Sequence, residues 1–129
     1  MIDSHCHLDH EPLVKNIEDV LSRCKKEGIS KVLTISTRLS GFPKIIEIIK
    51  QDEMIYGTFG IHPHETNTDQ LSKDEIINKI NSNDKIIGVG ESGLDFYYNN
   101  SDKDKQIKSF KNHIDAALEL DIPLIVHSR

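Results

Sequence analysis

Leu124-Ile125-Val126-His127-Ser128-Arg129 is an apolar, β-branched run that ends in a histidine and an arginine. Such residues favour a buried strand, and a histidine at its tip is delivered to the rim of a sheet. Four earlier runs have the same character: Met1–Ser4, Lys31–Ser36, Ile55–Ile61 and Lys85–Gly90. Helical stripes lie between them. Leu13, Ile17, Val20, Leu21 and Cys24 recur at helical spacing, with Pro12 suited to a first turn and Gly28 to a C-terminal cap. Phe42, Ile45, Ile46 and Ile49 form a second stripe. Ser72-Lys73-Asp74-Glu75 is a capping box leading into Ile76, Ile77 and Ile80. Ile107, Phe110, Ile114, Ala117 and Leu118 form a fourth stripe, ended before Pro123.

The order is therefore β-α-β-α-β-α-β-α-β, which implies an α/β fold with a parallel sheet and helical crossovers. Two architectures fit: an open doubly wound sheet, or a (β/α) barrel of TIM type. No G-x-G-x-x-G follows the first strand, which weakens the dinucleotide-binding form of the open sheet. No internal linker interrupts the 129 residues, so 1–129 reads as a single domain.

Sixteen Lys and Arg against twenty-one Asp and Glu give a net charge of −5. This argues against a protein that coats duplex DNA by charge alone, but not against a phosphate substrate handled by a metal. The first residues lack the basic and apolar segments of a signal peptide, no apolar run reaches the length of a membrane span, and two cysteines are too few for a disulfide scaffold. The expectation is a soluble, cytoplasmic protein.

Five of the seven histidines, His5, His7, His62, His64 and His127, follow or end a predicted strand. In parallel α/β proteins ligands bind at the carboxyl ends of strands. Strand side chains alternate, so His5 and His7 share one face and Cys6 takes the other. Two imidazoles on one face can chelate a metal ion, or simply hydrogen-bond at a strand end. Glu91 follows Gly88-Val89-Gly90, and a carboxylate there can bridge two divalent cations or form an ordinary ion pair. His127 adds an imidazole on the same rim. His62 and His64 flank Pro63 in a stiff turn and could reach a phosphate oxygen. Arg129 could aim at an anion. Asp95 reads as a loop-organising acceptor, and His113, beside an apolar stripe, as structural.

With these residues in place the chain resembles the TatD family of metal-dependent deoxyribonucleases, within the amidohydrolase-like TIM barrels. The matching blocks are Ile2–Asp9, Gly60–His64, Gly90–Tyr97 and Pro123–Arg129, in the family's order. The resemblance implies a two-metal hydrolase holding Mg²⁺, Mn²⁺ or Zn²⁺. His5 and His7 match ligands of one ion, Glu91 the bridging ligand, and His127 a ligand of the other. It also implies attack by activated water on DNA phosphodiesters, removing nucleotides 3′ to 5′ from single-stranded or frayed ends. The family pattern needs a further histidine and a further aspartate on later strands, and a full barrel of this kind takes about 250 residues. About five of eight strands are present. The sequence thus reads as the N-terminal part of such a barrel, a fragment with weakened metal affinity. Its open edges would be covered by self-association or by a C-terminal partner chain. A hydrolase of another bond and a non-catalytic half-barrel are the competing expectations.

Overall fold

The computed structural model describes every residue from Met1 to Arg129. Five strands alternate with four helices: β1 (Ile2–Cys6), α1 (Ile17–Lys26), β2 (Lys31–Thr34), α2 (Phe42–Ile49), β3 (Ile55–Phe59), α3 (Lys73–Asn81), β4 (Ile86–Leu94), α4 (Lys103–Leu120) and β5 (Leu124–Ser128). All neighbouring strands pair in parallel, in the order β1-β2-β3-β4-β5. This sequential order removes the doubly wound alternative, in which the strand order reverses partway through the sheet. The sheet curls as one half of a TIM-type barrel. No helix is long and apolar enough to cross a membrane.

One apolar cluster lies between the helices and the sheet. It draws Ile17 and Leu21 from α1, Ile45, Ile48 and Ile49 from α2, Ile76 and Ile80 from α3, and Val32, Ile55, Phe59 and Val89 from the strands. Phe42 and Phe59 meet edge to face, with ring centroids 4.6 Å apart. The capping box forms as the sequence predicts: Ser72 Oγ accepts from the Glu75 N–H, and Glu75 Oε2 accepts from the Ser72 N–H. Gly28, just past α1, has φ of 78°, the left-handed cap that glycine adopts without strain.

Three expectations need correction. β4 does not stop at Gly90 but runs to Leu94, because β5 pairs Gly93 with His127 and Leu94 with Ser128. Glu91 is therefore inside a strand rather than beyond its end. Leu13 lies in a 3-10 turn ahead of α1, so Pro12 precedes that turn and not the α-helix. On α4 the buried face is Gln106, Ser109, His113, Ala116 and Ala117, whereas Leu118 is 74% exposed. The apolar stripe and the buried face of this helix overlap at Ala117 but are offset, so Phe110 and Ile114 are only half-buried.

His113 is structural, as its place beside the apolar stripe suggests. It is fully buried, its Nε2 accepts from the Ile61 N–H at 3.0 Å, and its Nδ1–H donates to the Ser109 carbonyl at 2.7 Å. Burial pushes this imidazole down to about 4. Between about pH 6.5 and pH 4 the unfolded chain takes up a proton that the folded chain refuses, so stability falls as pH falls through that window. The loss by pH 4 is roughly 3 kcal/mol, and none occurs above about pH 7. Urea unfolding of wild type and His113→Gln at pH 7 and pH 4.5 should show a pH slope that is shallower in the variant.

Gly60, just past β3, faces Gly90 of β4. A Cβ at Gly60 would strike the Gly90 backbone, and Gly90 itself has φ of 136°. Main chain cannot rotate aside as a flexible side chain can. Gly60→Ala should cost about 3 kcal/mol or more, read as a fall in the denaturant midpoint.

Candidate metal centre

The strand ends converge on Glu91. Its carboxylate is nearly buried, and each oxygen faces a different strand. Oε2 lies 3.6 Å from His5 Nε2 and 4.0 Å from His7 Nε2 on the β1 side. Oε1 lies 3.2 Å from His127 Nδ1 on the β5 side. The backbone fixes this carboxylate: the Glu91 N–H donates to the Ser36 carbonyl at 2.8 Å, and the Gly90 carbonyl accepts from Thr58 Oγ1. The register of β4 against β5 shifts between Val89 and Ser92, around the glutamate.

The hydrogen-bond partners assign the imidazole tautomers. His7 Nδ1–H donates to the Ile35 carbonyl at 3.2 Å, which leaves the Nε2 lone pair facing Glu91. His62 Nδ1 accepts from the His64 N–H at 3.1 Å. Burial above all pushes His62 down to about 4, so near pH 7 it is neutral and carries its proton on Nε2. That N–H donates to His127 Nδ1 at 3.2 Å. The other nitrogen of His127, Nε2, donates to Asp95 Oδ2 at 3.0 Å.

Asp95 is fully buried and holds two imidazoles at once. Its Oδ2 also accepts from His64 Nε2 at 2.7 Å, and its Oδ1 accepts from the Tyr98 N–H at 3.1 Å. Burial alone would raise this carboxyl, but the Tyr98 N–H and the two imidazoles outweigh it and hold the group well below the usual carboxylate range. Gln106 on α4 clamps the backbone of the same residue. Its Oε1 accepts from the Asp95 N–H at 2.8 Å, and its amide donates to the Asp95 and Ser101 carbonyls.

The donor set suits divalent cations. His5, His7 and Glu91 present ligand atoms within 4.8 Å of one another. Their nitrogen–oxygen gaps of 3.6 and 4.0 Å are spans that a cation about 2.1 Å from each donor would bridge. On the other side the His127 Nδ1 lone pair and Glu91 Oε1 are two acceptors facing each other, an arrangement that only a proton or a cation reconciles. His62 is near enough to join that second group, but with its proton on Nε2 it is a donor and not a ligand. Cys6 is absent from these groups. Its thiol donates to the Leu33 carbonyl, and burial pushes it up to about 12.

A cleft of about 380 Å³ opens here, lined by His5, His7, His62, His64, Glu91 and His127 among others. The structure thus brings together six of the seven residues singled out from the sequence. Arg129 is the exception: its guanidinium sits over the Tyr97 and Tyr98 rings. His10 stacks on His7 with ring centroids 4.8 Å apart. The Gln106 clamp has no signature in the sequence beyond a polar residue on a helix face; Asp95, expected as a loop-organising acceptor, takes the Tyr98 N–H and in addition tethers two imidazoles.

A family model described as TatD related DNase matches residues 2–129. The chain belongs to that family. Its TatD relatives include a Buchnera aphidicola protein named an uncharacterized metal-dependent hydrolase, 37% identical over 134 residues. An Escherichia coli K12 relative, named uncharacterized metal-dependent hydrolase YcfH, is 32% identical over 132 residues. All of this chain aligns in both cases, against 49% of each relative. A crystal structure of a TatD family hydrolase from Entamoeba histolytica superimposes with a TM-score of 0.87 at 27% identity, over 100% of this chain and 50% of that one. The chain spans about half the length of the TatD relatives it matches.

Proposed function

We propose that residues 1–129 form one unit, the N-terminal part of a cytoplasmic TatD-type hydrolase that cleaves DNA phosphodiester bonds, working 3′ to 5′ from single-stranded or frayed ends. The observation that carries this reading is the division of the Glu91 carboxylate, one oxygen towards His5 and His7 and the other towards His127. That division is what a carboxylate shared by two cations requires.

His5, His7 and Glu91 would hold one ion, and Glu91 with His127 Nδ1 the other. Two such ions, Mg²⁺, Mn²⁺ or Zn²⁺, would supply activation of a water and neutralisation of phosphate charge. The chain's own groups do the rest. Asp95 keeps the proton of His127 on Nε2, which leaves Nδ1 unprotonated and able to exchange the His62 contact for an ion. His62, neutral with its proton on Nε2, becomes a donor to a phosphate oxygen once the His127 lone pair is engaged. His64, tethered through Asp95, lines the same wall, and Arg129 offers a second cationic contact for the strand. Charge borrowed from metal ions reconciles the net charge of −5 with a polyanionic substrate. β1 and β5 are the sheet's two edges, where a second copy or a C-terminal partner chain would pair.

The test is hydrolysis of 3′-labelled and 5′-labelled oligonucleotides with Mg²⁺ or Mn²⁺, beside a peptide amide under the same conditions. Stepwise shortening from the 3′ end supports the reading. Turnover of the amide alone overturns it.

A further inference from the structure

The chain has four Phe, three Tyr and no Trp, and three of these aromatic residues stand together at Phe96-Tyr97-Tyr98. They are not in the core: they are 38%, 72% and 51% exposed, respectively. Consecutive exposed rings on an otherwise polar loop sacrifice burial that the core could have used.

The loop is held in place all the same. The Phe96 N–H donates to the Arg129 carbonyl, the Arg129 N–H donates to the Leu94 carbonyl, and the Tyr98 N–H donates to Asp95. Tyr97 and Tyr98 meet edge to face at 5.0 Å. The Arg129 guanidinium lies 5.1 and 4.9 Å from their ring centroids. This patch adjoins the metal centre: Tyr98 is 5.8 Å from the His64 ring, which is 5.9 Å from His127.

We propose that Tyr97 and Tyr98, with Arg129, form a stacking platform for an unpaired nucleobase beside the scissile phosphate. The reading rests on the proposed nucleic-acid hydrolysis. A planar base fits what is displayed, since aromatic rings and a guanidinium plane both stack on the face of any base. The cation beside the rings matches the adjoining phosphates, a complementarity that a neutral apolar partner would leave unused. Bases inside a duplex have their faces covered by neighbours, so the platform selects single strands and frayed ends without reading sequence. It also places an attractive contact where a protein of net negative charge otherwise repels DNA.

The test uses Y97A/Y98A and Y97F/Y98F with a 5′-fluorescein oligothymidylate, binding being read by anisotropy in Ca²⁺. A second strand carries abasic nucleotides at its 3′ end. The alanine variant should bind the normal strand roughly tenfold to hundredfold more weakly, and the phenylalanine variant within about twofold of wild type. Wild type should lose a similar factor on the abasic strand, and the alanine variant nothing further. Equal binding by wild type and Y97A/Y98A overturns the platform, as does the same loss on both strands. Hydrolysis in Mn²⁺ is read in parallel. Base-dependent binding without turnover overturns the hydrolase reading and leaves the platform standing. Turnover with unchanged kcat/KM in Y97A/Y98A does the reverse.

Discussion

Glu91→Gln will abolish the proposed phosphodiester turnover and the proposed binding of Mn²⁺ or Zn²⁺ while leaving the fold intact. The amide keeps the size of the side chain and the backbone bond to Ser36, so the strand need not move. It removes the negative charge and one of two equivalent oxygens. Only a carboxylate can serve His5 and His7 through Oε2 and His127 through Oε1 in the same geometry. Removing even a partner that orients a ligand typically costs ten- to hundredfold in metal affinity or activity. A residue that faces both ligand groups should cost more than about a hundredfold. Titration calorimetry with Mn²⁺ and the end-labelled DNA assay measure the two quantities separately. A variant that binds metal and hydrolyses DNA as wild type does would remove Glu91 from the centre.

Asp95→Asn should weaken metal binding by about ten- to hundredfold without replacing any proposed ligand. The carboxylate accepts from His64 Nε2 and His127 Nε2 through a single oxygen. An asparagine can turn either its carbonyl or its amide to that place, and the amide would meet N–H with N–H. His127 is then free to move its proton to Nδ1, the nitrogen that must be bare to bind an ion. A merely structural asparagine defect would lower stability and leave the metal titration of the folded fraction unchanged. A positioning role shows as weaker affinity at unchanged thermal midpoint without metal, and as a shift of the His127 ring nitrogens in ¹⁵N NMR spectra.

The architecture was legible because two kinds of period alternate along the chain. Strand runs at Lys31, Ile55 and Leu124 and helical stripes in α1, α2 and α3 obey elementary burial, and the capping box at Ser72 is a local rule met locally. The gathering of histidines on one rim was legible for a related reason: strands deliver their last side chains to one place, so histidines at strand ends meet whatever the loops do. α4 was misread because its inner face packs against the polar loop around Asp95 and Ser101 rather than against the apolar core alone. It therefore buries Gln106 and Ser109, which periodicity counts as outward-facing. The extent of β4 was hidden because strand length is set by its partner, and β5 continues pairing to Ser128. The tethering role of Asp95 is a matter of side-chain directions from three separate segments, which no spacing rule encodes.

The contact of Gly60 with Gly90 bears on how such a protein can diverge. Where two main chains touch with no side chain between them, the neighbouring glutamate is positioned by a seam that repacking cannot adjust. Random libraries across residues 60 and 90 should return glycine almost alone. Libraries over residues 96–98, tied down by backbone bonds and free at their rings, should return active members with altered preferences. New specificities would then be sought in the loop, with the strands left as they are.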